Sequence, residues 1–175
     1  MRIPVQSSTS YRGRNSRPNL PVLSVFVLIS LVIGAIGYFF SPARSADTAR
    51  WYAALAKPDW IPPAQLFGPV WSALYLLMAV AAWMVWRERY HRRRNIALAV
   101  YALQLLLNCV WAPAFFGMKS LGIGLFVTIA LWLAVAWTIR EFARIRLLAA
   151  FVMLPYLIWC SIAIAMNYSL WKLNP

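Results

Sequence analysis

Three groups of residues have the side-chain types and spacing to act together. Trp71 and Tyr75 are four residues apart, and Gln104, Asn108 and Trp111 follow at spacings of four and three. Tyr156, Trp159, Ala163 and Asn167 continue at three, four and four. On a helix such spacings put each group on one face. The chemistry on offer is recognition rather than bond-breaking: aromatic faces for stacking, with neutral amides to set orientation. A flat, apolar, weakly polar ligand suits that surface, and tetrapyrroles and sterols both fit the description. The amides have a second use, because a polar group at membrane depth must find a partner. Gln104, Asn108 and Asn167 either tie helix to helix or face a ligand, and the two roles are compatible.

The elements that position these residues follow from hydropathy. Of the 175 residues 63% are hydrophobic and 12% charged, against about half and about a quarter in a soluble domain. Five apolar runs, Leu20–Phe40, Leu66–Trp86, Ile96–Phe116, Leu121–Ile139 and Leu147–Met166, contain no Asp, Glu, Lys, Arg or His. Each is close to the ~20 residues that cross a bilayer as a helix. The expected fold is an all-α membrane protein: one domain over residues 20–174, a bundle of five transmembrane helices at about 20–40, 66–86, 96–116, 121–139 and 147–168. The first run exceeds the ~7–15 residue core of a secretory signal and is read as a helix of the bundle. Residues 1–19, rich in Arg, Ser, Pro and Asn, are expected to form a disordered basic tail on the cytoplasmic side.

The net charge of +13 follows topology. Basic residues gather at Arg2, Arg12, Arg14 and Arg17, at Arg87, Arg89, Arg92, Arg93 and Arg94, and at Arg140, Arg144 and Arg146. In a five-helix chain those segments share one side, and only Arg44, Arg50, Lys57, Lys119 and Lys172 fall on the other. The positive-inside rule then puts the N-terminus in the cytoplasm and the C-terminus outside. Anionic lipid headgroups are a secondary contact for this charge, and nucleic acid is not an expected partner.

What is missing narrows the function. Asp47, Asp59, Glu88 and Glu141 fall in expected loops, so ion-coupled transport finds no ionisable relay at depth. The single histidine, His91, belongs to the Arg-rich loop, which leaves the bundle without the axial histidine of a membrane cytochrome. Cys109 and Cys160 form no CxxC and no metal-ligand cluster, and read as buried small hydrophobes. No hydrolase triad or zinc-protease motif occurs. No catalytic residues and no metal site are expected.

The fourth helix, with Leu125, Ile129 and Leu133 and a lone Thr128, is expected to pack outside the site, facing lipid or a partner chain. Ala97, Ala99 and Ala102 on the third allow close helix approach and dimerisation. Trp83, Trp86, Trp137 and Trp171 sit near helix ends and fit interfacial belts. The segment between the first two helices, residues 41–65, holds Pro58, Pro62 and Pro63, which makes it a poor helix and a poor strand but a stiff loop. Trp51, Tyr52 and Trp60 are expected to pack down onto the mouth of the bundle, as a lid.

Four stretches carry a resemblance: "WYAALAKPDWIPP", "FGPVWSALYLLM", "QLLLNCVWAPAFF" and "PYLIWCSIAIAMNYSLWKLN". Together they resemble the TspO/MBR family of tryptophan-rich sensory and translocator proteins over roughly residues 22–174. The resemblance implies a five-helix bundle, usually a homodimer, that binds porphyrins such as protoporphyrin IX and haem as ligands, with no obligatory cofactor. In animal members it implies cholesterol as well; here "IAMNYSLWK" places Ile164 where the sterol motif has Leu or Val, with Tyr168 and Lys172. Matched by motif, the family's ligand-binding positions are Tyr52, Pro62, Trp71, Tyr75, Asn108, Trp111, Trp159 and Ala163, beneath a lid with Trp51, Pro58 and Trp60. The implied function is a tetrapyrrole-binding sensor or translocator in a bacterial cytoplasmic membrane, involved in porphyrin homeostasis and in stress- or oxygen-linked regulation. The alternatives are a porphyrin or sterol carrier and an enzyme of light- and oxygen-dependent porphyrin breakdown, for which Trp51 or Trp159 would be the redox partner.

Overall fold

Each apolar run becomes a helix, and the breaks between them have local causes. In the computed structural model, which describes residues 19–175, the helices are α1 Leu20–Phe40, α2 Ala46–Ala54, α3 Ala64–Trp86, α4 Arg94–Ala112, α5 Leu121–Ala143 and α6 Leu147–Leu173. A π-helical turn, Pro113–Gly117, extends α4. All but α2 are long and apolar enough to cross a membrane. The basic tail expected over residues 1–19 lies outside the described residues, apart from Asn19 at the N-cap of α1.

Ser41 and Pro42 end α1, and Ser45 starts α2 by accepting the Thr48 amide on its side chain. The stretch Ala46–Ala54 is alanine-rich and free of proline, and this is why it is helical although residues 41–65 read as loop throughout. After Pro42 prolines return only beyond Ala54, and Pro63 caps α3. Pro113 has no amide to donate, and the helix loosens there: the Met118 amide reaches back five residues to the Pro113 carbonyl at 2.9 Å. Lys119, at φ 50°, turns the chain, and Ser120 caps α5 through the Ile123 amide.

Around the bundle the order is α1, α3, α6, α5, α4 and back to α1, with α3 and α4 also touching. The main core is built of Leu74, Met78, Ala82 and Val85 from α3, Tyr101 and Leu105 from α4, Leu131 and Phe142 from α5, and Met153 and Tyr156 from α6. Two expectations need correction. The fourth span, α5, keeps Ile129 and Leu133 exposed as expected but is not peripheral on its other face, where Gly124, Val127, Thr128, Leu131, Val135 and Thr138 are buried against α4 and α6. And α5 and α6 run past residues 139 and 168, carrying charge at their ends.

That extension changes the reading of Glu141, which is not in a loop. It occupies the last turn of α5, only 2% exposed, and accepts from Arg93 Nε at 2.9 Å and Arg144 at 2.7 Å. Arg146 meets Glu88 at 3.3 Å. A carboxylate is tolerated there because charged hydrogen bonds satisfy it. The two pairs tie together the loops at the basic end of the bundle.

Candidate functional site

The expected site residues fall into two aromatic clusters, with an amide bonded to the first and one turn along α4 from Trp111 of the second. In the first, Trp71 lies 5.4 Å from Tyr75 and 6.2 Å from Tyr156, while Phe67 meets Trp159 edge-on at 5.7 Å. This cluster lines the seam between α3 and α6. Ala163 is half-buried one turn beyond Trp159, and its carbonyl accepts from Asn167 Nδ2 at 2.8 Å.

The second cluster belongs to the α2 end. Trp111 stacks on Phe115 at 5.3 Å with 17° between the planes, and Phe116 lies 4.8 Å from Phe115. Trp51 and Tyr52 on α2 press edge-on against Phe116 at 6.5 and 5.8 Å, and Leu55 and Ile61 join them. The π-helical turn is what presents Phe115 and Phe116 together to α2. Trp111 is held from below as well: its indole N–H donates to Thr128 Oγ1 at 2.7 Å, and Thr128 donates to the Gly124 carbonyl at 2.7 Å.

Asn108 is 7% exposed. Its Oδ1 accepts from the Tyr75 hydroxyl at 2.9 Å, and its Nδ2 donates to the Tyr156 hydroxyl at 2.6 Å. One amide therefore ties α3, α4 and α6, so the helix-to-helix role is realised. Gln104, one turn away, is fully buried; its Nε2 touches Met78 Sδ at 3.9 Å, and its Oε1 has no hydrogen-bond partner among the described residues. The Asn167 Oδ1 is in the same condition.

The covering segment is pinned to the bundle at two points and braced internally at a third. Lys119 reaches Asp47 at 2.6 Å, and its charge and hydrogen bond hold the Asp47 carboxyl below the usual carboxylate range. Lys57 bonds the Ala53 and Leu55 carbonyls and lies 4.7 Å over the Tyr52 ring, closing the end of α2. Asn174, beyond α6, accepts the Ala56 amide at 2.9 Å and returns a bond to the Ala56 carbonyl at 3.0 Å, pairing like a strand residue. Its Nδ2 also caps Leu170 at 2.8 Å. Replacing Asn174 by Ala removes all three bonds, and amide exchange around Ala56 is expected to speed up about tenfold, equivalent to roughly one net hydrogen bond. Mass-spectrometric hydrogen exchange on the loop peptide would reveal it, and unchanged exchange would mean that the aromatic contacts alone hold the segment.

Of the expected lid residues, Trp51 and Tyr52 are seated, Pro58 and Pro62 are half-buried, and Trp60 is not packed down: it stands 50% exposed. The turn after Pro58, closed by the Ile61 amide on the Pro58 carbonyl, puts Ile61 rather than Trp60 against the bundle. Phe67, Phe115, Phe116 and Thr128 complete the site beyond the expected set, and Tyr156, expected on the stripe of the last helix, joins the residues matched by motif. Phe67 was detectable as the residue one turn before Trp71; Asn174 had no signal in its own sequence neighbourhood.

Fold and site together define a five-span helical membrane protein with an aromatic seam under a pinned extramembrane segment. The model of the TspO/MBR family matches residues 26–172, and the chain belongs to that family. It is 37% identical over 158 residues to Protein CrtK of Rhodobacter capsulatus, covering 90% of this chain and 95% of that one. It is 36% identical to the tryptophan-rich protein TspO of Chlorobaculum tepidum, covering 90% and 99%. Against the human translocator protein it is 37% identical over 153 residues, covering 81% of this chain and 90% of that one.

Proposed function

We propose that the chain binds a tetrapyrrole such as protoporphyrin IX or haem between α3 and α6, beneath the α2 segment, and acts as a membrane sensor or translocator. The observation that carries this reading is the Trp71 ring, flanked by Tyr75 at 5.4 Å and Tyr156 at 6.2 Å, with the Phe67–Trp159 pair one turn toward α2. A planar macrocycle gains from each aromatic face it covers, while the neutral amides nearby impose no charge on it. The bacterial sources of two of these relatives, together with the five apolar spans, support placement in a bacterial membrane. In this reading the chain sits in the cytoplasmic membrane, basic end inward, as a homodimer. No residue is assigned a catalytic role.

Titration of the purified protein with protoporphyrin IX should quench tryptophan fluorescence. Trp71→Ala and Trp159→Ala are each expected to weaken binding about tenfold, about 1.4 kcal/mol, the scale of one lost aromatic contact with its burial. Wild-type affinity in both variants would remove the site.

A further inference from the structure

At the basic end, two loops and the helix ends beside them place eight arginines, Arg87, Arg89, Arg92, Arg93, Arg94, Arg140, Arg144 and Arg146, against two carboxylates. Glu141 is taken by Arg93 and Arg144, and Glu88 by Arg146. Arg89 and Arg94 are placed differently. Their guanidinium groups lie over the Trp86 ring, at 5.3 and 5.5 Å, and neither is in an ion pair among the described residues. The Arg94 Nε is buried without a hydrogen-bond partner. Both cations sit at one indole without a carboxylate partner among the described residues, and an anion reaching them would offset that charge.

The same arginine stands at the head of an apolar groove. One turn along α4 from Arg94 is Leu98, which with Leu105 and Leu106 forms one wall of an open groove of about 410 Å³. Phe26, Ile29 and Ile33 of α1 form the other. The Trp83 indole donates to the Asn19 carbonyl at 3.3 Å, fixing the start of α1 beside the end of α3 that carries Trp86. A paired cationic mouth opening on an acyl-shaped groove has the chemistry of one ligand class.

We infer that the α1–α4 groove is a site for an anionic phospholipid, its phosphate between Arg89 and Arg94 on Trp86 and one acyl chain along Leu98, Leu105 and Phe26. General positive-inside charge explains why arginines gather at this end. It does not explain why two of them share one ring, one of the two being a single turn from the groove wall at Leu98. The site is separate from the tetrapyrrole seam, which lies between α3 and α6.

The test is lipid retention by the full chain, purified from membranes of equal phosphatidylglycerol and phosphatidylcholine and read by native mass spectrometry. Wild type is expected to retain phosphatidylglycerol at least fivefold over phosphatidylcholine. The double variant Arg89→Gln, Arg94→Gln should bring the ratio close to one, whereas Arg92→Gln, exposed on the same loop, should leave it unchanged. Leu98→Trp, which fills the groove and keeps every arginine, should lower total retention. Equal retention of the two lipids by wild type overturns the proposal, and so does a loss in Arg92→Gln as large as in the double variant. Glycerol phosphate displacing the lipid as well as phosphatidylglycerol does would also overturn it, since the groove would then contribute nothing. The wild-type ratio and the Leu98→Trp result stand even if the double variant fails to fold.

Discussion

Replacing Asn108 by Leu should destabilise the bundle by about 2 kcal/mol, because one substitution breaks two buried hydrogen bonds, leaving the Tyr75 phenol without its partner and Tyr156 with only Cys160. The estimate weighs two opposing magnitudes. A buried polar group left unpaired costs about 1–3 kcal/mol, yet interhelical hydrogen bonds in a bilayer are worth nearer 0.6 kcal/mol on average, with a maximum of about 1.7. Tyr156 is fully buried and cannot turn outward, so its hydroxyl pays most of the penalty. Tyr75, itself buried, loses its partner on the same residue. Tyr75→Phe removes only one bond together with its donor and should cost about 0.5–1 kcal/mol. Thermal unfolding of both variants in the same detergent gives the comparison. If Asn108→Leu proves no worse than Tyr75→Phe, Asn108 is not the tie between α3, α4 and α6. Porphyrin affinity should fall in Asn108→Leu as well, since Trp71 keeps its position through contacts with Tyr75 and Tyr156.

The second large effect belongs to a residue with no side chain. A Cβ on Gly124 would stand 2.4 Å from Phe115 Cδ2 and 3.1 Å from its Cβ. The ring has little room to yield. Phe115 is 2% exposed, stacked on Trp111 at 5.3 Å and met edge-on by Trp51 at 5.8 Å. Gly124→Ala is therefore expected to cost about 1–3 kcal/mol as overpacking. It should also disturb what rests on the ring, shifting tryptophan emission and speeding amide exchange in α2 together with the loss of stability. Gly122→Ala on the same helix meets only Trp171, at 3.6 Å, and serves as the control. Equal melting temperatures for the two variants would show that Phe115 can move aside and that the floor under α2 is soft.

Much of this architecture was legible because lipid imposes a simple rule. A segment in hydrocarbon must satisfy its own backbone, so length and hydropathy nearly determine the spans. The stripes Trp71–Tyr75, Gln104–Asn108–Trp111 and Tyr156–Trp159 were readable for a related reason: aromatic and amide side chains at helical spacing in an apolar run must face something other than lipid. Reading α2 as plain loop was an error of averaging over residues 41–65. Pro42 comes before the Ser45 cap and Pro58, Pro62 and Pro63 come after Ala54, so the stretch between is free of proline. The place of α5 was misjudged because its contribution is mostly smallness. Gly124 and Thr128 matter for the side chains they admit, and an apolar pattern does not register that.

The sequence by itself determined five spans, the gathering of charge at one end, and which residue types face inward on α3, α4 and α6. These follow from local composition and the 3.6-residue period. Only the tertiary structure decided that Asn108 bonds two tyrosines from different helices, that Thr128 holds Trp111, that Ile61 rather than Trp60 meets the bundle, and that Asn174 clasps Ala56. Each joins residues well separated along the chain or depends on which of several neighbours wins a face. Such choices rest on packing shape and on the pairing of single polar atoms, neither of which a hydropathy pattern encodes.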